Sequence, residues 1–526
     1  MFLRRMLLWL KENRWFSYSC AVATFLVING VFLFKGIGST ARSILLVAAI
    51  AVLLWCLICL VVFQLKKKSI QLNHIFLTIL LTLGLGYSAI FPAISVPDER
   101  YHFEASYMYS DIIMLQKGES GSLPMREGDK ELIERSTKRL EYSSYSKVIN
   151  NFEFFSSNSS MTTIQPMAQY SLTTNLPQQK IPSAIGITIA KLFGLGSYPL
   201  FYLGRLFNFL LFAVLCYFAV KITPVGKNAF MAIALLPMTL HVVSSYSYDA
   251  GTIGYAFILI ALCLKAIYAP QKIARKDLIA LGIFAILLAP CKVLYSVIIL
   301  MVFLIPQRVF ATKRNAILYK IGVPLLSFGF LLLLKFSTLL AMAGADPSSA
   351  GNVADRLGEI GRFRSFSEFF TDPLGTIVIY ARTIFYMGDF YITGTLGGKL
   401  GWFQDDISTP WFIIAVAAAL LFLSFLKTPK DETTIPNKHR IAFVAICVVG
   451  TFAIWTSMFV SWTFDYEPVI QGVQGRYTLP LLPLIALAFR SNTVTSNKNL
   501  HLIIPFGFLA FNLAHLNMIF ALATKL

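Results

Sequence analysis

Stretches of about 20 apolar residues, each long enough to cross a bilayer as a helix, recur along nearly the whole chain. They exclude an ordinary water-soluble fold. Only 13% of the 526 residues are charged, where soluble domains carry about 25%. In hydrocarbon every backbone N–H and C=O must find its partner inside the protein, so a spanning segment is a helix or part of a closed barrel. The two-residue alternation of barrel strands does not recur. The expected fold is therefore all-α, a polytopic single transmembrane domain over 1–526. Spans fall near 15–34, 43–64, 73–93, 198–220, 228–246, 250–268, 277–290, 292–306, 317–341, 410–426, 440–462, 476–490 and 501–522, which makes about thirteen. The pair 277–290 and 292–306 is short and joined tightly at Pro290-Cys291-Lys292, as a hairpin that spans or re-enters.

Charge orients the spans. Basic residues gather at Arg4, Arg5, Lys11 and Arg14, at Lys66–Lys68, at Lys272–Lys276, at Arg308–Arg314 and at Lys427–Arg440. With a cytoplasmic N-terminus every one of these clusters falls inside, as the positive-inside rule requires. Of the 26 acidic residues all but Glu12, Asp277, Asp431 and Glu432 fall outside. The net charge of +19 is thus a topology signal. A nucleic-acid partner would need a soluble basic domain, and there is none. The first apolar stretch is too long for a cleavable signal and lacks a small-x-small site, so it is expected to stay as an anchor. The 7 cysteines all lie in or beside spans and read as core packing rather than as disulfides.

Two outer segments are long, 94–197 and 342–409, and connections of that length usually carry structure and function. The first offers a polar helix at 126–141, a Ser/Asn/Thr-rich stretch at 143–165, and an apolar piece at 183–194 that suits the membrane interface. In the second, Phe363, Phe366, Phe369 and Phe370 alternate with charges, as in an amphipathic surface helix.

The sharpest local feature is Val96-Pro97-Asp98-Glu99-Arg100-Tyr101-His102-Phe103, at the outer end of the third span. If a helix starts at Pro97, Asp98 and His102 share a face. A carboxylate beside an imidazole could serve as a general base or bind a divalent metal such as Mg or Mn; acids in a first turn also simply cap helices. The second feature is Gln471-Gly472-Val473-Gln474-Gly475-Arg476-Tyr477-Thr478-Leu479-Pro480, at the outer mouth of the twelfth span. The glycines allow close backbone approach. An arginine at a membrane end needs a partner, and its forked guanidinium suits phosphate. Arg205, Asn208, Tyr248, Asp249, Lys292 and Tyr295 fall at the same depth. Together they form an outer layer suited to an anionic lipid headgroup and a polar second substrate.

The ordered set Pro97-Asp98-Glu99-x-x-His102-Phe103, Arg205-Leu-x-Asn208, Ser247-Tyr248-Asp249 and Gln474-Gly475-Arg476-Tyr477-x-x-Pro480 resembles bacterial domain-of-unknown-function family 2142 over about 75–490. That family is similar in layout to the C-type (GT-C) glycosyltransferases, which take sugars from polyprenyl phosphates. The resemblance implies a bacterial cytoplasmic-membrane enzyme of GT-C-like fold with an extracytoplasmic active site. It would move a sugar, with inversion, to a cell-surface glycan or lipid acceptor. It implies a catalytic role for Asp98 or Glu99, with His102 orienting the carboxylate. The acids stand adjacent here rather than one apart, which leaves open which of them acts and whether a metal takes part. Arg476, Lys292 and Arg205 would hold the donor phosphate; Tyr248, Asp249, Tyr295, Gln474, Tyr477 and Asn208 would complete the substrate site. A flippase, transporter, polymerase or ligase of lipid-linked saccharides is the alternative.

Overall fold

The computed structural model describes residues 72–524 except 117–120, 137–139, 157–159, 169–174, 269–272, 343–361, 402–407, 430, 432, 491–493 and 499. The expected spans at 15–34 and 43–64 lie outside the described residues.

The chain is mostly helical. Among the described residues six helices are long and apolar enough to cross a membrane: Leu72–Ile90, Ser197–Ile222, Asp249–Tyr268, Lys313–Phe336, Asn437–Trp462 and Leu500–Thr524. Each coincides with an expected span, and the protein is a membrane protein. The other expected spans in this region are shorter or broken, so six rather than thirteen spans are shown among the described residues. Pro237 divides 228–246 into Lys227–Ala234 and Pro237–Val243, because its ring removes a backbone donor and clashes with the preceding turn. The segment 277–290 is the 14-residue helix Arg275–Leu288. The segment 292–306 is a 12-residue 3₁₀ helix, Val293–Leu304, which at about 2.0 Å per residue reaches roughly 24 Å. The segment 410–426 becomes Trp411–Phe425. The segment 476–490 opens with a 3₁₀ turn at Gly475–Thr478 and continues as Leu482–Phe489.

The outer segments also differ from expectation. The described part of 342–409 contains a 24-residue helix, Pro373–Leu396, started by the Asp372 carboxylate accepting from the Gly375 N–H and ended by Gly397 at φ 96°. The Phe-rich run does not form a surface helix. Phe363 bridges to Phe464, with rings stacked at 4.6 Å, and only Glu368–Thr371 is helical. In the first segment, 126–141 shortens to Glu127–Arg135. The polar stretch after it forms the helix Tyr142–Asn150 and the strand Met161–Ile164, which pairs antiparallel with Leu123–Arg126. This two-stranded sheet is a departure from an all-α chain. The apolar piece 183–194 belongs to a longer helix, Pro177–Leu192, packed against Glu99–Ile113 and Ser197–Ile222. Buried ion pairs fasten the segment: Arg126 to Asp129 at 2.8 Å and Lys191 to Asp111 at 2.6 Å.

The Asp249–Tyr268 helix is the central post, with 94% of its apolar window inside the protein, whereas Lys313–Phe336 has 17% and stands at the periphery. The two ends of the post face different chemistry. At the Tyr268 end its hydroxyl meets His439 Nδ1 at 2.6 Å, Arg308 donates to the Ile267 carbonyl, and Lys265 pairs with Asp277. Among the described residues, three basic-rich segments of the sequence, those around Arg275, Arg308 and Arg440, have members at this end. Asp249, about 30 Å away along the helix, lies among the residues described next.

Candidate functional site

Four separate segments meet at the Asp249 end. Pro97 ends the approach from Leu72–Ile90, and the helix Glu99–Ile113 starts with Asp98 as its N-cap at φ 60°, ψ 9°. This left-handed conformation strains most side chains, but Asp and Asn tolerate it. It points the two adjacent acids to different places. Asp98 is exposed at the rim, with Oδ2 3.4 Å from Arg476 Nη2. Glu99 is fully buried and clasps Arg205, Oε1 to Nε at 2.7 Å and Oε2 to Nη2 at 2.6 Å.

A guanidinium has five N–H donors. The remaining three of Arg205 go to the carbonyls of Ser88, Phe91 and Pro92. Arg205 therefore has no donor left for a phosphate. Glu99 also accepts from the Tyr246 N–H. The pair is a strut that ties the helix Glu99–Ile113 to Ser197–Ile222, which takes Arg205 away from the phosphate-binding role expected of it.

Arg476 sits on the 3₁₀ turn Gly475–Thr478, buried at 7% exposure. The glycines before it are needed. A Cβ on Gly475 would lie 2.3 Å from the Thr395 backbone N, and Gly472 has φ +76° with the Trp462 ring against it. The turn is pinned by Thr395 Oγ1 donating to the Gly475 carbonyl at 3.0 Å and by Tyr295 O–H donating to the Tyr477 carbonyl at 2.8 Å. Tyr295 thus positions the turn. Arg476 Nε approaches Asp249 Oδ2 at 3.7 Å, beyond hydrogen-bond reach.

Lys292 stands where the 3₁₀ helix Val293–Leu304 begins. Its ammonium lies 3.3 Å from the centre of the Tyr477 ring and 5.9 Å from that of Tyr248, a cation–π seat. Asn208 is a supporting residue, its amide donating to the carbonyls of Ser245 and Ser247 and so shaping the turn that presents Tyr248 and Asp249. His102 packs edge-on to Tyr248 with ring centres 5.0 Å apart. Its Nδ1 is 2.8 Å from Lys180 Nζ.

Sequence reasoning missed Lys180. Only its place in the first turn of a helix after Pro177 marks it, and several other outer lysines are equally unremarkable by sequence. The lysine and His102 both lie outside the membrane-spanning helices. Burial drives Lys180 down to about 7, opposed by the charge of Asp249. Burial, with the nearby charges of Lys180 and Arg476, holds His102 well below the ordinary imidazole range. The two nitrogens stand at hydrogen-bond distance, and burial disfavours a charge on either of them.

The site has one property beyond proximity. Buried polar atoms are nearly always paired, yet here Lys292 Nζ, Arg476 Nε, Asp249 Oδ2, Gln474 Oε1 and His241 Nδ1 have no hydrogen-bond partner among the described residues. Arg476, Gln474 and His241 line one narrow crevice, no wider than a water molecule, with Pro97 at its edge.

The residues do not suit a metal. Glu99 is held by Arg205 and His102 Nδ1 by Lys180, so Asp98 alone of the three expected ligands faces the rim. Among the described residues no group of three His, Cys, Asp or Glu is arranged to hold a metal ion.

A family model described as "Predicted membrane protein (DUF2142)" matches residues 80–485, which contain every residue of this site. No curated protein and no solved structure matches the chain.

Proposed function

Because the chain belongs to the DUF2142 family of predicted membrane proteins, we propose a function performed at a membrane face: transfer of a sugar from a polyprenyl-phosphate donor to a hydroxyl of a glycan or lipid acceptor. The observation that carries this reading is the buried pair of cations, Arg476 and Lys292, whose nitrogen atoms Nε and Nζ lack hydrogen-bond partners beside a rim carboxylate. Buried cationic N–H groups without a hydrogen-bond acceptor are costly, and an anionic group that reaches them relieves the cost. A phosphate ester matches the forked donor edge of arginine.

Asp98 is the proposed base. It accepts the proton of the acceptor hydroxyl as that oxygen forms its bond to the sugar C1. The C1–O bond to phosphate breaks on the opposite side, and its electron pair leaves on the lipid phosphate. Attack opposite the leaving group inverts C1. Arg476 and Lys292 stabilise the charge that grows on the phosphate, in surroundings with little competing water. Base catalysis by a positioned carboxylate typically contributes about 10²–10⁴-fold. Glu99 is not assigned this role because its carboxylate is committed to Arg205. No step passes through a metal.

The basic-rich segments around Arg275, Arg308 and Arg440 have members at the opposite end of the bundle, which supports an extracytoplasmic site in a bacterial cytoplasmic membrane. A flippase would need a polar path through the middle of the bundle, whereas these groups crowd one end.

The test is transfer of radiolabelled hexose from a short-chain polyprenyl-phosphate hexose to a membrane glycolipid extract by purified protein. Arg476→Ala is expected to lower transfer at least 100-fold, in line with the loss of one preorganised charge-stabilising group. Movement of the labelled donor between liposome leaflets without chemical change would overturn the transferase reading in favour of transport.

A further inference from the structure

The helix Pro373–Leu396 has three faces. One packs on the protein: Thr376, Ile379, Thr383 and Tyr391 are buried, and the Thr383 hydroxyl accepts from the Ile470 N–H. The exposed remainder divides by chemistry. Leu374, Val378, Phe385 and Ile392, spaced by one or two turns, follow one line of the helix surface, with Ile377 and Ile384 beside it. All six are exposed, Phe385 at 84%. Arg382, Tyr386 and Asp389, each a turn from the next, follow a second exposed line alongside the first.

The ring contacts show how the helix lies. Tyr380 and Tyr391 are three turns apart, about 16 Å along their own helix, yet both rings meet Trp455, at 6.2 and 5.8 Å. Tyr380 also meets Phe452 and Phe459. The helix therefore crosses Asn437–Trp462 rather than running beside it, and it crosses in the half away from His439. Near its last turn Thr395 holds the Gly475 carbonyl. It thus lies across the bundle at the end that carries Asp249 and Arg476. Phe452, which Tyr380 touches, is itself exposed together with Val448 and Val449, as the lipid-facing side of a span is. The apolar surface of that span runs on into the helix.

An apolar line this long, open on its outer side, marks an interaction surface. A helix with one apolar and one charged exposed face suits a membrane interface, and two charges on its open side are costly in the bilayer interior. We propose that Pro373–Leu396 lies in the plane of the membrane surface at the Asp249 end. The line from Leu374 to Ile392 rests against lipid chains, and Arg382, Tyr386 and Asp389 stand at the headgroups. Through Thr395 the helix holds the Arg476 turn at headgroup depth. This placement does not rest on the sugar-transfer reading.

Fluorescence quenching tests it. Leu374→Cys, Phe385→Cys, Ile392→Cys, Arg382→Cys and Asp389→Cys are made in the full-length protein, labelled with an environment-sensitive fluorophore and reconstituted in phosphatidylcholine vesicles. The parent, labelled in parallel, sets the background of the native cysteines. Chain-brominated phosphatidylcholine is expected to quench the label at Leu374, Phe385 and Ile392 several-fold more than at Arg382 and Asp389. Iodide in the water phase is expected to do the reverse. For a helix lying in the plane, bromines close to the headgroup should quench all three apolar positions more than bromines near the chain ends. Equal iodide quenching at Phe385 and Arg382 would overturn the proposal. So would protection of Phe385 from both quenchers, the result of a second copy of the chain covering this face. Deep quenching at Phe385 with shallow quenching at Leu374 and Ile392 would mean a helix that crosses the bilayer, and would overturn it too. All five side chains are exposed, so the variants are expected to melt like the parent; Val378→Cys or Ile384→Cys replaces any apolar position that does not.

Discussion

At residue scale the adjacent acids Asp98 and Glu99 behave as opposites. Asp98 is exposed at the rim, whereas Glu99 is sealed against a guanidinium with no spare donor. Asp98→Asn is expected to leave insertion and melting unchanged while lowering transfer about 10²–10⁴-fold. Glu99→Ala strands a buried arginine, and removing one partner of such a pair costs about 3–5 kcal/mol. It should sharply reduce the yield of folded protein, read as the monodisperse fraction on size exclusion. The buried Lys180 and His102 predict a pH response. Free lysine holds its proton to 10.5, whereas Lys180 in the folded protein releases it near 7. Between those values the unfolded chain binds more protons, so stability rises with pH. His102, lowered well below 6.5, acts in the same direction on the acid side, because the unfolded chain gains a proton that the folded one refuses. Thermal stability in detergent is expected to increase from pH 6 to pH 9, and Lys180→Met should flatten the upper part of that rise. Neither feature is legible in the sequence. Glu99 and Arg205 stand 106 positions apart, and no local pattern announces that they meet.

Element by element, proline and glycine were the readable signs. Pro97 marks a helix start, and the two glycines before Arg476 mark a turn that must approach another backbone closely. Gly475→Ala sets a Cβ against the backbone of Thr395 and Gly394, so the turn must move and take Arg476 with it. The expected result is loss of phosphate binding together with about 1–3 kcal/mol of stability, the usual scale of overpacking. A titration of methyl phosphate alongside a melting curve would show both. What sequence did not reveal is helix type. Val293–Leu304 is apolar all round, and such a run looks alike whether wound at 3.0 or 3.6 residues per turn. The helix Pro373–Leu396 was hidden because Arg382, Asp389 and several threonines and glycines dilute its apolar character.

For the whole molecule, hydropathy and charge gave the class and a lengthwise polarity: members of three basic-rich segments stand around Tyr268 and the candidate residues around Asp249. What they could not supply was the convergence of four segments on one cleft, which depends on packing between helices distant in sequence. The sidedness predicts a labelling pattern. A cysteine at Lys130, on the first outer segment, should react with a membrane-impermeant maleimide in intact cells. One at Lys313 should react only after permeabilisation. Among the described residues the cysteines Cys216, Cys263, Cys291 and Cys447 are all buried, so these four contribute little background. Equal labelling of both sites in intact cells would count against an outward-facing cleft.

The backbone twist at Asp98 has a genetic corollary. Asparagine and glycine sit comfortably in that conformation, and each is reached from an aspartate codon by changing a single base. On the proposed assignment, mutants that inhabit the membrane normally, retain the donor and never release product should arise spontaneously at this codon. Selection against toxic overproduction of the parent would recover them as full-length protein rather than as truncations.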